Sequence, residues 1–299
     1  MRARSDYLSR TRAAAAYRVV MRFLALALST IVLAACADQT SDTNDPGGTS
    51  IGKSRYEATT TVLEDADGAR LCLGGVLDSL PPQCGGVPVL GWSWRDVDGE
   101  ESMGGATWGD FHVVGTFDGS TFTLLDAAPP QPYPDEDGDQ FIPPCPEPKG
   151  GWVDIDPAMA GDDDRIATMR VAEDIASYAG IWIGYLKEPI EYEAPGEYVV
   201  TVAFTGDPTI HEPALRAVWG GPLCLTSAQH TFADLRRAQR DLGNGGAERL
   251  GIQMTWSDVD IMDNQVELGA IVFDPNLQAA LDEEYGDGVV HVVPALRPV

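Results

Sequence analysis

A proline-rich stretch divides the sequence into two parts. Residues 128–150 carry eight prolines among acidic and glycine residues. Proline removes a backbone donor and fixes φ, so this stretch cannot form a helix interior or a central strand. We interpret it as a semi-rigid acidic linker between a folded part at residues 54–127 and another at residues 151–299.

Short runs of β-branched and aromatic residues fill residues 54–127, with almost no helical period. The clearest runs, residues 111–117 and 121–125, flank Asp118-Gly119. Glycine readily adopts the positive φ that a tight hairpin turn requires, so this pair predicts a β-hairpin. Five short strands in about seventy residues predict a small all-β domain, an OB-like barrel or a compact sandwich.

Three tryptophans fall within this predicted barrel. Trp92 and Trp94 lie two residues apart on a predicted strand, so their indoles would share one face, and Trp108 follows nearby. Aromatic rings in line are candidates for stacking on a sugar ring or a base. The alternative, which we favour, is that they fill the core of a small domain.

After residue 151 the pattern alternates between helical and strand periods. The run Asp162-Asp163-Asp164 predicts a helix start. Gly180 is the expected end of that helix. Its predicted apolar face carries Ile166, Met169, Ala172, Ile175 and Ala179.

The elements that follow this helix recur later in the chain. Two strands, a helix and a strand come next, and the same order begins again near residue 230. Ala214-Leu215 and Trp219-Gly220 recur 66 positions on as Ala280-Leu281 and Tyr285-Gly286. We therefore predict an α+β fold whose second domain is a duplicated αββαβ unit, residues 151–229 and 230–299, with helices on one face of mainly antiparallel sheets.

The start of the chain has the pattern of an export signal. Six arginines precede an apolar run at residues 23–33, which is too short to span a membrane as a helix. Leu33-Ala34-Ala35-Cys36 closes that run, as in bacterial lipoprotein precursors, which this start resembles. The resemblance implies that residues 1–35 are removed and that Cys36 becomes a lipidated N-terminus on the outer face of the cell membrane. Met1 and Met21 both remain candidate initiators.

A polar segment and a strong negative charge follow Cys36. Residues 36–53 hold Gly, Pro, Ser, Thr and Asp without an apolar period, which predicts a disordered tether. The chain has 20 basic and 46 acidic residues, and the first 35 residues take six of the former and one of the latter, leaving 14 and 45. This excess of acidic residues gives the exported chain a strong negative charge. A negative charge repels phosphate backbones, so nucleic acid is not expected as a partner.

Four further cysteines remain in the exported chain, an even number in an oxidising compartment. Two disulfides are therefore expected, and the sequence leaves three pairings open. We favour Cys72 with Cys84, around Pro81-Pro82, and Cys145 with Cys224. A metal or redox site is the weaker alternative because no C-x-x-C motif is present.

No cofactor is expected, with one low-ranked alternative. Asp135, Asp137 and Asp139 space their carboxylates as in calcium loops. Gln140 and Pro146 stand where an EF-hand needs glycine and glutamate, so a solvated acidic turn is the favoured interpretation. We find no nucleophile elbow, P-loop or zinc-protease motif, and the four histidines are scattered. The sequence therefore names no catalytic residue and leans away from an enzyme.

Several blocks look like those of a known group of proteins. They are Leu71-Cys72-Leu73-Gly74, residues 81–86, Gly91-Trp92 and residues 115–119. These blocks resemble an uncharacterised family of surface lipoproteins from Gram-positive bacteria of high G+C content. The resemblance spans most of the mature chain and implies no activity.

A second resemblance covers residues 232–281. A leucine-rich helix is followed by Asp260, Asn264, Val266 and Leu268, which is similar to the prodomain repeat of secreted chymotrypsin-like proteases. The resemblance implies a chaperone or inhibitor that acts in trans. We expect instead a non-catalytic, lipid-anchored module that binds an envelope protein or glycan, with the prodomain-like role and a carboxylate-dependent hydrolase as alternatives.

Overall fold

The computed structural model describes residues 54–130, 142–186 and 198–299. Within these ranges the fold is α+β and consists mostly of strands, which confirms the predicted class. The buried residues of these ranges form three clusters, one inside a barrel and one at each of two three-stranded arrangements. Cys36, the tether and the acidic run at Asp135, Asp137 and Asp139 lie outside the described residues.

A closed five-stranded β-barrel forms the first part, which confirms the predicted barrel. β1 pairs with β2 on one side and with β5 on the other, so the order β1-β2-β3-β6-β5 returns to β1. Neighbours are antiparallel except for the parallel pair β3 and β6. The strands are Arg55–Asp65 (β1), Gly68–Leu71 (β2), Val87–Leu90 (β3), Glu101–Met103 (β4, beside β5), Ala106–Phe117 (β5) and Phe122–Ala128 (β6).

The barrel core arises from strict alternation along these strands. Phe111 and Val113 on β5 point inward with Val62 and Phe122, and each is at most 2% exposed. The predicted hairpin turn lies between β5 and β6. Gly119 there has φ +98°, and the Asp118 carboxylate accepts backbone N–H bonds from the two residues after Gly119.

Two three-stranded arrangements follow the barrel. In each, the first two strands are antiparallel and the last two are parallel, so the sheets are mixed rather than mainly antiparallel. The parallel pairs arise because a helical segment carries the chain back to the same sheet edge before the last strand. The elements are Asp162–Glu173 (α1), Tyr178–Tyr185 (β7), Tyr198–Thr205 (β8), Glu212–Arg216 (α2), Leu223–Ala228 (β9), Phe232–Asp241 (α3), Ala247–Arg249 (α4), Met254–Asp260 (β10), Gln265–Val272 (β11), Pro275–Tyr285 (α5) and Val290–Pro298 (β12).

The helix α1 is shorter than predicted, and of its predicted apolar face only Ala172 is buried within the helix. It ends at Glu173, and Thr168 and Ala172 are its buried residues, whereas Ile166 is 40% exposed. Small side chains at these two positions let the helix approach its sheet closely. Gly180 does not end the helix; it lies within β7, where a side chain would come within 2.9 Å of Ile261.

Strand β12 connects the second three-stranded arrangement to the barrel. It pairs with β1 through Tyr56 with Pro298 and Glu57 with Arg297, so its sheet continues into the barrel. Leu296 of β12 is 0% exposed and belongs to the barrel cluster. The last strand of the chain thus completes the core of the first domain.

Both disulfides form with the favoured pairing. Cys72 and Cys84 close a loop after β2 with 5.5 Å between their Cα atoms. Cys145 and Cys224 are 5.7 Å apart and join the end of the linker to β9.

Candidate functional site

A groove of about 1220 Å³ runs along the outside of the barrel between β1, β5 and β12. We call it the β1–β12 groove. It opens where β1 leaves its short pairing with β12 and turns to pair with β2. Its polar lining residues are Glu57, Thr59, Thr60, Thr61, Asp110, His112, His291 and Arg297.

The barrel wall of this groove follows from the period of a β-strand. Successive side chains of a strand point to opposite faces, so alternate residues of β1 point outward while Ala58 and Val62 are buried. The β1–β5 register sets Thr59 opposite His112 and Thr61 opposite Asp110. The Thr61 hydroxyl donates to Asp110 Oδ1 at 2.5 Å, so this wall is ordered by cross-strand contacts.

His112 lies between two oxygen-bearing side chains. Its Nδ1 is 3.3 Å from Thr59 Oγ1, and its Nε2 is 3.6 Å from Glu57 Oε2. A nucleophile, a base and an orienting acid normally lie within about 2.6–3.2 Å of one another. The arrangement is therefore looser than a catalytic relay and suits a polar binding surface.

Glu57 and Asp110 are the carboxylates of the barrel wall. In the strand register Glu57 stands opposite Val114, four residues from Asp110. Four residues correspond to about 13 Å along a strand. Glycosidase carboxylate pairs lie about 5–9.5 Å apart, so these two acids do not form such a pair.

The opposite wall comes from β12. Arg297 stands opposite Glu57 in the β1–β12 register, and His291 is exposed on the same strand. Glu267 of β11 stands beside His291. Burial and repulsion from Asp260 raise the pKa of Glu267, while His291 opposes that shift. The groove thus places cationic and acidic groups on facing walls.

The tryptophans predicted as a stacking face lie in a different setting. Gly91, with φ +86°, ends β3, so Trp92 and Trp94 lie in the following loop and the predicted strand position is wrong. Their rings form an edge-to-face pair 5.1 Å apart and pack against Phe111. Trp108 lies on β5, opposite Leu63. Glycan stacking at these residues stays a prediction, and the packing of Trp92 and Trp94 favours the core interpretation.

Of the residues named by the prodomain resemblance, Asp260 ends β10, Asn264 lies in the turn that follows, and Val266 and Leu268 lie on β11. Asp260 Oδ1 accepts backbone N–H bonds from Met262 and Asp263. Asn264 has φ +56°, and its side chain binds backbone groups of residues 229 and 230. Both residues shape this turn.

The described residues contain neither a candidate metal-binding cluster nor a membrane-spanning helix. There, no group of three or more His, Cys, Asp or Glu side chains is placed to hold a metal ion. No helix of residues 54–130, 142–186 and 198–299 combines the length and apolar character needed to cross a membrane. The calcium candidates lie outside these ranges.

The groove residues were not identified from the sequence. The alternation of outward-facing side chains along β1 and β5 could be predicted from the sequence. The pairing of β1 with both β5 and β12 could not. Comparison with known protein families and with curated proteins finds no match for this chain.

Proposed function

We propose that this chain is an extracytoplasmic, lipid-anchored binding protein that receives its partner in the β1–β12 groove. The groove itself carries the proposal. It combines a volume of about 1220 Å³ with hydroxyl, carboxylate and imidazole groups on β1 and β5 and with imidazole and guanidinium groups on β12.

The size and lining of the groove favour a chain-like ligand. Small-molecule sites usually have about 300–1000 Å³ and a mainly apolar lining. This groove is larger, and threonine, histidine and acidic side chains line it together with apolar residues such as Val76 and Val292. An extended peptide or an envelope glycan offers the row of hydrogen-bonding groups that such a lining can match.

The anchor is the second part of the proposal. Cys36 follows the motif Leu33-Ala34-Ala35, and residues 36–53 have the composition of a tether. Lipidation at Cys36 would hold the barrel close to the outer face of the membrane. The groove would then meet components of the cell envelope rather than nucleic acid, in keeping with the net charge.

We also propose that residues 151–229 and 230–299 are two copies of one αββαβ unit. Both segments have a helix, two strands, a helix and a strand in that order, and the second segment adds the short helix α4 after α3. In both segments the first two strands are antiparallel and the last two are parallel. Leu215 on α2 and Leu281 on α5 are 66 positions apart, each is 0% exposed, and each helix precedes the last strand of its unit.

Groove-blocking substitutions test the binding proposal. Thr59→Arg and Thr61→Arg place a long side chain in the groove, and Thr123→Arg makes the same change on the exposed face of β6. We expect surface crosslinking to recover a partner with wild type and Thr123→Arg but not with the groove variants. Identical partners with all four proteins would contradict the proposal.

The anchor is tested separately. Cys36→Ala should move the protein from the membrane fraction to the medium and abolish labelling with a palmitate analogue. A Cys36→Ala protein that stays membrane-bound and labelled would contradict lipidation at this residue. A secreted serine protease among the groove-dependent partners would favour the prodomain-like alternative.

A further inference from the structure

A second pocket lies away from the groove, between the end of α1 and the outer face of α3. Its volume is about 480 Å³, within the usual range for a small ligand. Ile175, Tyr178 and Phe232 form an apolar floor, and the rings of Tyr178 and Phe232 meet edge to face at 5.7 Å. We call it the α1–α3 pocket.

One wall of the α1–α3 pocket is basic. Arg236 and Arg240 are one helical turn apart on α3, and both line the pocket. Among the described residues, neither has a carboxylate within ion-pair distance; Arg236 contacts only the Gln239 side-chain oxygen, at 2.5 Å. Arg237, between them, pairs with Asp234 at 2.6 Å.

Two unpaired arginines are notable in this chain because acids outnumber basic residues 46 to 20. Guanidinium groups favour planar, bidentate binding of carboxylates. The apolar floor beside them would bury an aromatic or branched side chain of the same ligand. Burial raises the pKa of Tyr178 to about 12, so its hydroxyl stays protonated and can donate a hydrogen bond.

We propose that the α1–α3 pocket binds a carboxylate joined to an aromatic or branched apolar group. Arg236 and Arg240 hold the carboxylate, and Ile175, Tyr178 and Phe232 bury the apolar part. Glu173 and Asp174 on the opposite wall repel a second anionic group and favour an amide N–H beside them. An acidic peptide segment and a free N-acylated amino acid both carry this chemistry.

NMR titration of the purified ectodomain tests this site with three probes. N-acetylphenylalanine is the free acid, acetyl-Phe-Glu-amide is the peptide form, and N-acetylphenylalanine amide lacks the carboxylate. We expect shifts at the Arg236 and Arg240 Nε–H signals with either acid, and binding of the amide weaker by about tenfold. Tighter binding of the peptide would identify a peptide as the source, and tighter binding of the free acid would identify a small molecule.

Variants on one helix provide the control. Arg236→Gln with Arg240→Gln should weaken binding of both acids by about tenfold or more, and Arg237→Gln should leave the affinity unchanged. These arginines are exposed, so melting curves should show that each variant folds. Absence of binding by both acids to the folded wild type, or equal loss in the Arg237→Gln control, would overturn the proposal.

Discussion

At the scale of single residues, Asn264 holds the start of α3 against the β10–β11 turn. Its Oδ1 accepts the backbone N–H groups of Gln229 and His230 at 2.9 and 2.7 Å, and its Nδ2 donates to the His230 carbonyl. Asparagine is one of the few residues that tolerates the positive φ found here. One side chain therefore allows the turn conformation and also holds the turn to the residues that precede α3.

Asn264→Ala should lower the free energy of unfolding by about 2 kcal/mol, because backbone bonds are lost and the positive φ is strained. Asn264→Gly loses the same bonds without that strain and should cost less. Urea denaturation of the three proteins checks this order. Equal stability of wild type and Asn264→Ala would contradict the role given to this side chain.

The N-cap of α3 gives a second prediction. Thr231 Oγ1 accepts the Asp234 N–H at 3.1 Å and donates to the Asp234 carboxylate at 2.7 Å. That hydroxyl bond is the main reason why the pKa of Asp234 lies below its ordinary value. Thr231→Ala should therefore cost about 1 kcal/mol at pH 7, and Thr231→Ser should cost little.

The pH dependence of this cap has a defined sign. A carboxylate with a lowered folded-state pKa stabilises the fold above its unfolded-state pKa of about 4 and loses that contribution as the pH falls through the folded-state value. The stability gap between wild type and Thr231→Ala should narrow below about pH 4. An NMR titration that shows the same Asp234 pKa in both proteins would contradict the assignment.

Some residue roles were readable from the sequence, and others were not. The cysteine pairing is confirmed because nearness along the chain favours Cys72 with Cys84, which leaves one partner for Cys145. Trp92 and Trp94 were assigned to a strand because their alternation looks like a strand period. The positive φ of Gly91, directly before Trp92, interrupts that strand, and the presence of one glycine in the sequence does not report its φ.

At the scale of elements, the two disulfides close rings of very different length. Cys72 and Cys84 are 12 positions apart, and Cys145 and Cys224 are 79 apart. In the chain-entropy account the stabilisation grows with the logarithm of ring length, giving about 3 and about 4.5 kcal/mol. The longer ring should contribute more.

Replacing each pair by alanines, Cys72→Ala with Cys84→Ala and Cys145→Ala with Cys224→Ala, checks this. We expect the second double variant to lose more free energy of unfolding in urea. A larger loss from the short ring would show that the short loop stabilises the barrel by contacts that the entropy account omits.

Helix α1 shows why an apolar stripe can misplace a helix face. Its apolar residues follow a helical period, yet Thr168 is buried with Ala172 while Ile166 is 40% exposed. The helix packs against β7 and α2, and small residues allow the closest approach. A hydrophobic period cannot report how closely the helix approaches these elements.

At the scale of the whole molecule, the barrel and the C-terminal segment share structure. Leu296 of β12 packs inside the barrel, and Gln253 Nε2 donates to the Gly119 carbonyl at the tip of the barrel hairpin, at 2.9 Å. The domain boundaries predicted from composition do not include these contacts between the C-terminal segment and the barrel. Long-range strand pairing leaves no local pattern, so the groove that it creates could not be predicted either.

Leu296→Ala should therefore destabilise the barrel by about 3 kcal/mol, within the range found for buried leucines. Leu125→Ala, on the exposed face of β6, is the matched control and should change stability by less than about 0.5 kcal/mol. Tryptophan fluorescence and far-UV circular dichroism should report one shared transition for each protein. Equal effects of the two variants would contradict the place of β12 in the barrel core.

The central claim, that the β1–β12 groove receives the partner, is tested most directly by a photo-crosslinking amino acid placed inside it. His291 is exposed on the groove wall, and Asp126 is exposed on β6 outside the groove. On intact cells, the account predicts a discrete crosslinked product from position 291 that is absent from position 126 and is lost with Thr61→Arg. The same products from both positions, or none from position 291 in a surface-displayed protein, would contradict it.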